Sequence, residues 1–224
     1  MRFDIITLFP EGLEAYLNTS ILKKARGKNL LVVHTHQLRD FALDKHKTVD
    51  DTPFGGGAGM LLKVDPLVLC LESVLAETTI PRTETLVLVT SAKGRLFNQA
   101  KAHDLKDNYK RIVLICGRYE GIDERFIEHF CDEEISIGEY ILTGGELASL
   151  VIVDAITRLL PGVLGNEESI MEESHTVTGI GEYPQYTKPE DFRGLIVPEV
   201  LLSGHHKNIE EWRRSEQRKL SFEK

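Results

Sequence analysis

The chain is poor in cysteine, carries no excess of positive charge and has no long uncharged apolar run. Each shortage excludes something. The three cysteines, Cys70, Cys116 and Cys131, share no metal-ligand spacing and form no disulfide framework, so a reduced, cytoplasmic compartment is expected. No uncharged apolar run reaches the roughly 18 residues that a membrane helix needs, so no membrane span is expected. The opening residues alternate into a strand and are interrupted by Asp4 and Pro10, unlike a signal peptide. Lysine and arginine number 27 against 35 acids, a net charge of −8, which taken alone argues against a nucleic-acid partner. A phosphate loop of the triphosphate-binding kind is also missing. The glycine-rich stretch Thr52–Met60 is followed by Leu61, where lysine and a hydroxyl would be needed, and no strand leads into Gly55 as a dinucleotide fingerprint requires. That stretch reads as a loop that closes over a substrate, or as a plain surface loop. No internal repeat and no low-complexity tract occurs.

What is present is a 42% apolar fraction, enough for a packed core, and local charge. Basic clusters fall at Lys23, Lys24, Arg26 and Lys28, at Lys45, His46 and Lys47, and at Arg213, Arg214, Arg218 and Lys219. Such patches can meet phosphates even on an acidic protein. Acids at Glu133, Glu134, Glu167, Glu168, Glu172 and Glu173 offset them.

The richest stretch runs from Arg111 to Gly145. Two apolar runs, Ile112–Ile115 and Glu134–Ile137, each end in glycine and are followed by dense polar groups. Strand, tight turn and polar crevice are how an α/β protein presents a ligand. Thr90-Ser-Ala-Lys-Gly94 ends a third apolar run. Three strand ends could thus line one crevice. Asp123, Glu124 and Arg125 could equally form an ion-pair network at a helix start.

Strands are expected at Phe3–Leu8, Leu30–His36, Thr85–Thr90, Arg111–Gly117 and Glu134–Ile137. Helices are expected at Leu13–Ala25, Asp65–Glu77, Gln99–Leu105, Asp123–Phe130 and Gly145–Leu160. This alternation predicts an α/β fold with a mainly parallel sheet and helices on both faces. Residues 162–178 turn polar and acidic and read as a mobile interdomain linker. The segment beyond, ending in a basic helix from Asn208, is too short to bury much alone. It should pack on the first domain or on a second subunit.

The block C-G-R-Y-E-G-I-D-E-R (116–125) with S-I-G-E-Y-I-L-T-G-G-E-L (136–147) resembles the bacterial tRNA (guanine-N1)-methyltransferases of the SPOUT class, the TrmD family. Further matches are I-T-L-F-P (6–10), H-K-T-V-D-D-T-P-F-G-G-G-A-G-M (46–60), R-L-L-P-G-V-L-G (158–165), Y-P-Q-Y-T-K-P (183–189) and V-L-L-S-G (200–204). Nearly the whole chain is covered. The resemblance implies an S-adenosylmethionine-binding domain over 1–161 with a deep trefoil knot, the linker 162–178, and a small, mostly helical tRNA-binding domain over 179–224. It implies a homodimer with active sites shared between subunits, acting on the anticodon stem-loop of tRNA. The product would be 1-methylguanosine at position 37, where guanosine precedes at 36.

Carried over position by position, the donor pocket would comprise Thr90, Ser91, Ala92, Lys93 and Gly94, then Gly117, Tyr119 and Glu120, then Ile137, Gly138, Glu139, Tyr140, Ile141, Leu142, Gly144 and Gly145. Arg158 matches the family's catalytic arginine, and Glu173 falls at the position of its general base. Relatives depend on magnesium, yet no cluster here has the spacing of a dedicated protein site for Mg2+. Three departures stand out. The base is Glu173 within E-E-S-H where relatives carry aspartate, with Glu172 the rival and His175 a more distant one. The donor loop reads S-A-K-G where S-P-Q-G is usual. The chain stops soon after Trp212, where many relatives continue. A catalytically silent RNA-binding relative, or a SPOUT enzyme for another RNA, are the alternatives. The retained Arg158 and glycine set oppose the first, and the 55–60 and 183–189 motifs oppose the second.

Overall fold

The computed structural model describes residues 1–165 and 182–219. The chain divides into two compact units, Met1–Gly165 and Asn166–Lys224. The first unit carries a five-stranded sheet in the order β2-β1-β6-β5-β7. Its strands are β1 (Arg2–Thr7), β2 (Val32–Gln37), β5 (Thr85–Leu96), β6 (Arg111–Cys116) and β7 (Glu133–Ser136), and every pairing is parallel. Central β6 is buried along its whole length, as expected of a strand covered on both faces. A short hairpin, β3 (Asp50–Asp51) with β4 (Leu61–Leu62), stands apart from the sheet.

Helices cover both faces. On one side lie α1 (Pro10–Leu17), α2 (Ser20–Gly27), α4 (Gln99–Asn108) and α6 (Glu146–Thr157), which pack on one another. On the other, α3 (Val64–Ala76) and α5 (Glu124–Phe130) cover Ile6, Val87, Val89, Val113 and Ile115 with Leu67, Leu71, Val74 and Phe126. Alternate strand residues turn to opposite faces, which is why two cores form.

The single helix expected over 13–25 is two helices. Asn18 closes α1, its amide N–H bonding Glu14 O at 3.1 Å, and Ser20 takes a positive φ of 40°. Short polar side chains that compete for backbone bonds favour such a break. Strand β5 runs six residues past its expected end, to Leu96, after a register shift between Thr90 and Arg95.

In the second unit, β8 (Asp191–Phe192) and β9 (Leu195–Ile196) form a hairpin, followed by α7 (Glu199–Leu202) and α8 (His206–Lys219). None of its described residues is buried. Arg213 lies over the Tyr183 ring at 4.7 Å, and Tyr186 meets Trp212 with ring centres 6.4 Å apart. Among the described residues no helix is long and apolar enough to cross a membrane.

A buried charge cluster ties the sheet together. Asp4 on β1 is fully buried. It accepts from Arg111 Nε at 2.7 Å and Arg2 Nε at 2.8 Å, and its other oxygen lies 2.9 Å from His36 Nε2. Arg111, also fully buried, donates from Nη2 to Val74 O at 2.7 Å and so joins β6 to α3. Burial alone would raise the Asp4 pKa. Hydrogen bonds from His36, Arg2 and Arg111, with the charge of Arg111, outweigh burial and hold the carboxyl far below the usual range. A depressed folded pKa adds stability above the unfolded value of about 3.9, and that stability is lost as pH falls through the folded value. Asp4→Asn should therefore lower stability at neutral pH by about 3–5 kcal/mol, the usual cost of breaking a buried pair. It should also remove part of the wild-type loss of stability below about pH 4. Urea unfolding across pH checks both; unchanged stability at pH 7 would show the cluster to be dispensable.

Candidate active site

The carboxyl ends of β5, β6 and β7 open into a cavity of about 750 Å³. Strand order reverses here, because the chain passes from β5 to β6 and then returns beyond β5 to β7. Crevices at such reversals are the natural ligand sites of parallel sheets. Thr90, Ser91, Ala92 and Lys93 form one wall. Gly117, Tyr119 and Glu120 form a second. Ile137, Gly138, Tyr140, Ile141, Leu142, Gly144 and Gly145 form the third. Tyr119 holds a left-handed backbone at φ 59°, a strain typical of ligand-facing turns.

Gly94 and Glu139 are not on these walls. Glu139 is exposed. Gly94 faces β7: an added Cβ would lie 2.5 Å from Ile135 N and 2.6 Å from Glu134 C. It lets β5 run on beside β7 and so shapes the 90–93 wall from behind.

The most closely packed point is Gly145. A Cβ there would lie 1.9 Å from Thr90 Oγ1, 2.8 Å from Cys116 Cα and 2.9 Å from Gly117 N. Its own N–H bonds Gly117 O at 2.9 Å. Beside it, Arg118 donates to Glu146 from Nε at 3.0 Å, with Nη2 at 2.9 Å, and from Nη1 to Thr143 O at 3.2 Å. Glu146 also accepts from Thr7 Oγ1 at 2.7 Å. The Arg118 guanidinium sits 4.6 Å over the Phe9 ring. These contacts fasten the second and third walls to the end of β1. Arg118 and Glu146 escape a reading by motif because their pairing spans 28 residues. The signal that could have found them is a charged residue of each sign flanking the two glycine turns.

Five charged groups line the cavity: the carboxylates Glu120, Glu124 and Glu134 and the cations Lys93 and Arg118. Lys93 Nζ lies 3.0 Å from Glu124 and 3.5 Å from Glu134. Asp123 instead caps α5, accepting from Arg125 N at 3.0 Å and pairing with its guanidinium at 2.7 Å. Of the three residues at that helix start, Asp123 and Arg125 make the local ion pair and Glu124 turns to the cavity. Apolar residues missing from the expected set, Leu61, Val89, Ile122, Ile127, Ile135 and Ala148, add to the lining.

Arg158 caps α6 and lines a neighbouring cleft of about 630 Å³ with Tyr16, Leu147, Val151 and Asp154. The two hollows share Ile137, Tyr140 and Leu142. Tyr16 donates to Asp154 Oδ2 at 2.5 Å. Glu173, with Glu172 and His175, lies outside the described residues.

Two other chemistries have little support. Burial, with the charge of Glu146 adding to it, pushes the Cys116 thiol up to about 12. Burial likewise raises Cys70 to about 12 and Cys131 to about 11. Neutral thiols of this kind are poor nucleophiles. Asp4, His36 and Glu77 bring ligand atoms within 4.8 Å of one another. Asp4 is already held by two arginines, so the group is an ion-pair cluster.

Gly145→Ala should cost about 1–3 kcal/mol by overpacking. Gly12→Ala, in α1 with nothing within 4 Å of its Cβ position, should instead stabilise by about 0.5–1 kcal/mol. Urea unfolding of the two variants separates them; a neutral Gly145→Ala would show that the strand ends can part.

Comparison with known proteins agrees with this geometry. The family model tRNA (Guanine-1)-methyltransferase TrmD matches residues 1–224. A relative from Geotalea uraniireducens (strain Rf4) is 52% identical over 214 residues, 96% of this chain and 84% of its own. One from Dehalococcoides mccartyi (strain ATCC BAA-2266 / KCTC 15142 / 195) is 50% identical over 216 residues, 96% and 85%. One from Carboxydothermus hydrogenoformans is 50% identical over 216 residues, 96% and 82%. Each is named tRNA (guanine-N(1)-)-methyltransferase. With a family model matched from end to end and half of all residues shared with these relatives, the chain belongs to the tRNA (guanine-1)-methyltransferase family.

Proposed function

We propose that this enzyme moves the methyl group of S-adenosylmethionine to N1 of guanosine 37 in tRNA when guanosine also occupies position 36. Family membership makes it a methyltransferase acting on guanine N1 of tRNA. The donor, the nucleotide position, the residue roles and a shared site belong to the proposal. The observation that carries it is the cavity at three strand ends, where 14 of the 16 expected donor-pocket residues converge.

The cavity suits the donor. Its apolar walls fit a purine, and Glu120, on the wall and paired with no cation among the described residues, favours a ligand carrying a sulfonium and an ammonium group. When bound, S-adenosylmethionine supplies an electrophilic methyl. The chain's residues must then make guanine N1 a nucleophile, since that nitrogen carries a proton. A carboxylate, assigned to Glu173, accepts the proton. The Arg158 guanidinium stabilises the charge that grows on O6. The base has to leave its stack to be reached.

In one chain Arg158 lines the second cleft and not the donor cavity. A site completed by a second copy accounts for this. Leu147 is 62% exposed and Ile141 81%, an apolar surface of the kind that partners cover. The second unit, with no buried described residue, needs cover too. Its Arg213–Tyr183 and Tyr186–Trp212 contacts suit a nucleic-acid surface. The knotted chain path is part of the same proposal, supported by the close crossing of Gly145 over β5 and β6. So is a cytoplasmic location.

Methyl incorporation into tRNA transcripts that differ only at positions 36 and 37 tests the reading. Transfer should need guanosine at both; transfer indifferent to position 37 would sink it. Glu173→Gln, nearly isosteric but not basic, should lower turnover by on the order of 10²–10⁴-fold and leave donor affinity intact by calorimetry. A dead Glu172→Gln beside a normal Glu173→Gln would move the base by one residue. Arg158→Lys keeps the charge and loses the planar fork, so turnover should fall while donor affinity holds; equal loss of both would make Arg158 a structural ion-pair residue.

A further inference from the structure

The side chain of Phe54 touches almost nothing. At 101% relative exposure it is the most exposed large apolar residue among those described. Single exposed apolar residues are ordinary, but the setting of this one is not. It stands on the loop between β3 and β4, at the turn closed by Gly56 N bonding Pro53 O at 3.2 Å. Gly55, Gly56, Gly57 and Gly59 all take positive φ, between 80° and 128°, conformations that few other residues adopt at low cost. The loop's shape is therefore written into the backbone.

The returning limb of the loop is fixed to the donor cavity. Glu120 N bonds Met60 O at 3.0 Å, and Leu62 N bonds Gly121 O at 3.0 Å. Gly59 lies against the Glu120 side chain, where a Cβ would come within 2.3 Å of Cγ. Glu120 and Leu61 both line the cavity. An unpartnered aromatic is thus mounted on a shaped loop whose base is part of the cavity wall. The chain entering the hairpin carries exposed Lys45 and His46, groups suited to phosphate.

We propose that Phe54 stacks on a base of the anticodon loop next to the target guanine, compensating for the stacking lost when that guanine leaves. The inference rests on the proposed tRNA function. Unstacked loop bases are held by aromatic faces, and such stacking is sequence-tolerant because every base has a face to offer. Placed beside the cavity, Phe54 acts on RNA and not on the methyl donor.

The test uses the full-length protein, a fluorescent anticodon stem-loop RNA, and a second RNA with 2-aminopurine next to the target guanine. Phe54→Ala should weaken RNA binding roughly tenfold and leave the 2-aminopurine bright where the wild type quenches it. Phe54→Tyr should restore both. Donor affinity by calorimetry and mass by light scattering should stay at wild-type values in each variant. Unchanged RNA binding and quenching in Phe54→Ala would overturn the proposal. A drop in mass would assign Phe54 to a subunit contact, and a matching fall in donor affinity would make it a prop for the cavity; either also overturns it. If the wild type neither binds nor methylates the stem-loop, the proposed function fails as well. If it does both and Phe54→Ala does the same, only the role of Phe54 falls.

Discussion

The first unit depends on one crossing: Gly145 passes over the ends of β5 and β6 with no room for a side chain. That contact sets two of the three cavity walls against each other. It brings the 137–145 wall against the 117–122 wall, and it starts α6 directly beneath the hollow. A larger residue would lift α6 off the sheet, because Cys116 Cα and Gly117 N are backbone and cannot rotate away. The Arg118–Glu146–Thr7 contacts then fix the angle at which the crossing chain arrives. A half-buried ion pair is weak evidence for stability by itself. Here it also bonds Thr143 O, so its effect is to hold a loop that has no regular structure.

The strands and most helices were legible because each repeats a simple pattern. Buried β6 reads as a largely apolar run, R-I-V-L-I-C, and the glycine turns at Gly117 and Gly138 that follow strands mark the crevice. Illegible parts depend on contacts distant in sequence. Extension of β5 to Leu96 needs Gly94 to lie on β7, about 40 residues away in the chain. The break between α1 and α2 is set by Asn18 and Ser20, residues that a helix can carry when nothing else claims them. The two-residue strands β3 and β4 are too short for any periodicity. At the candidate site, the three walls could be expected from motifs. The Arg118–Glu146 pair was marked only by a charge of each sign beside the two glycine turns, with nothing to name either as the other's partner.

Charge is handled in two ways in the first unit. At the amino ends of the strands, Asp4 is saturated by Arg2, Arg111 and His36 and is closed to solvent. At the carboxyl ends, Glu120, Glu124 and Glu134 face an open cavity, with half-exposed Lys93 paired to Glu124 and Glu134. A carboxylate whose bonds are complete adds stiffness, whereas carboxylates with spare acceptor capacity can answer a ligand. The stiff end lets the open end keep its shape without filling it.

Separation of the two hollows bears on how the chemistry can be completed. Arg158 is anchored through its backbone N–H to Asp154 O at 3.2 Å, at the close of a helix whose inner face is core. Its cleft is bounded by Leu147, Val151 and Tyr140, all of them substantially exposed. Burying those side chains against another copy would add roughly 25 cal/mol for each Å² removed from water. The same act would enclose Arg158 in a drier setting, where its charge acts more strongly. In the proposed dimer, then, the surface that needs covering and the proposed catalytic cation lie on the same helix. Association and catalysis would draw on one face of α6.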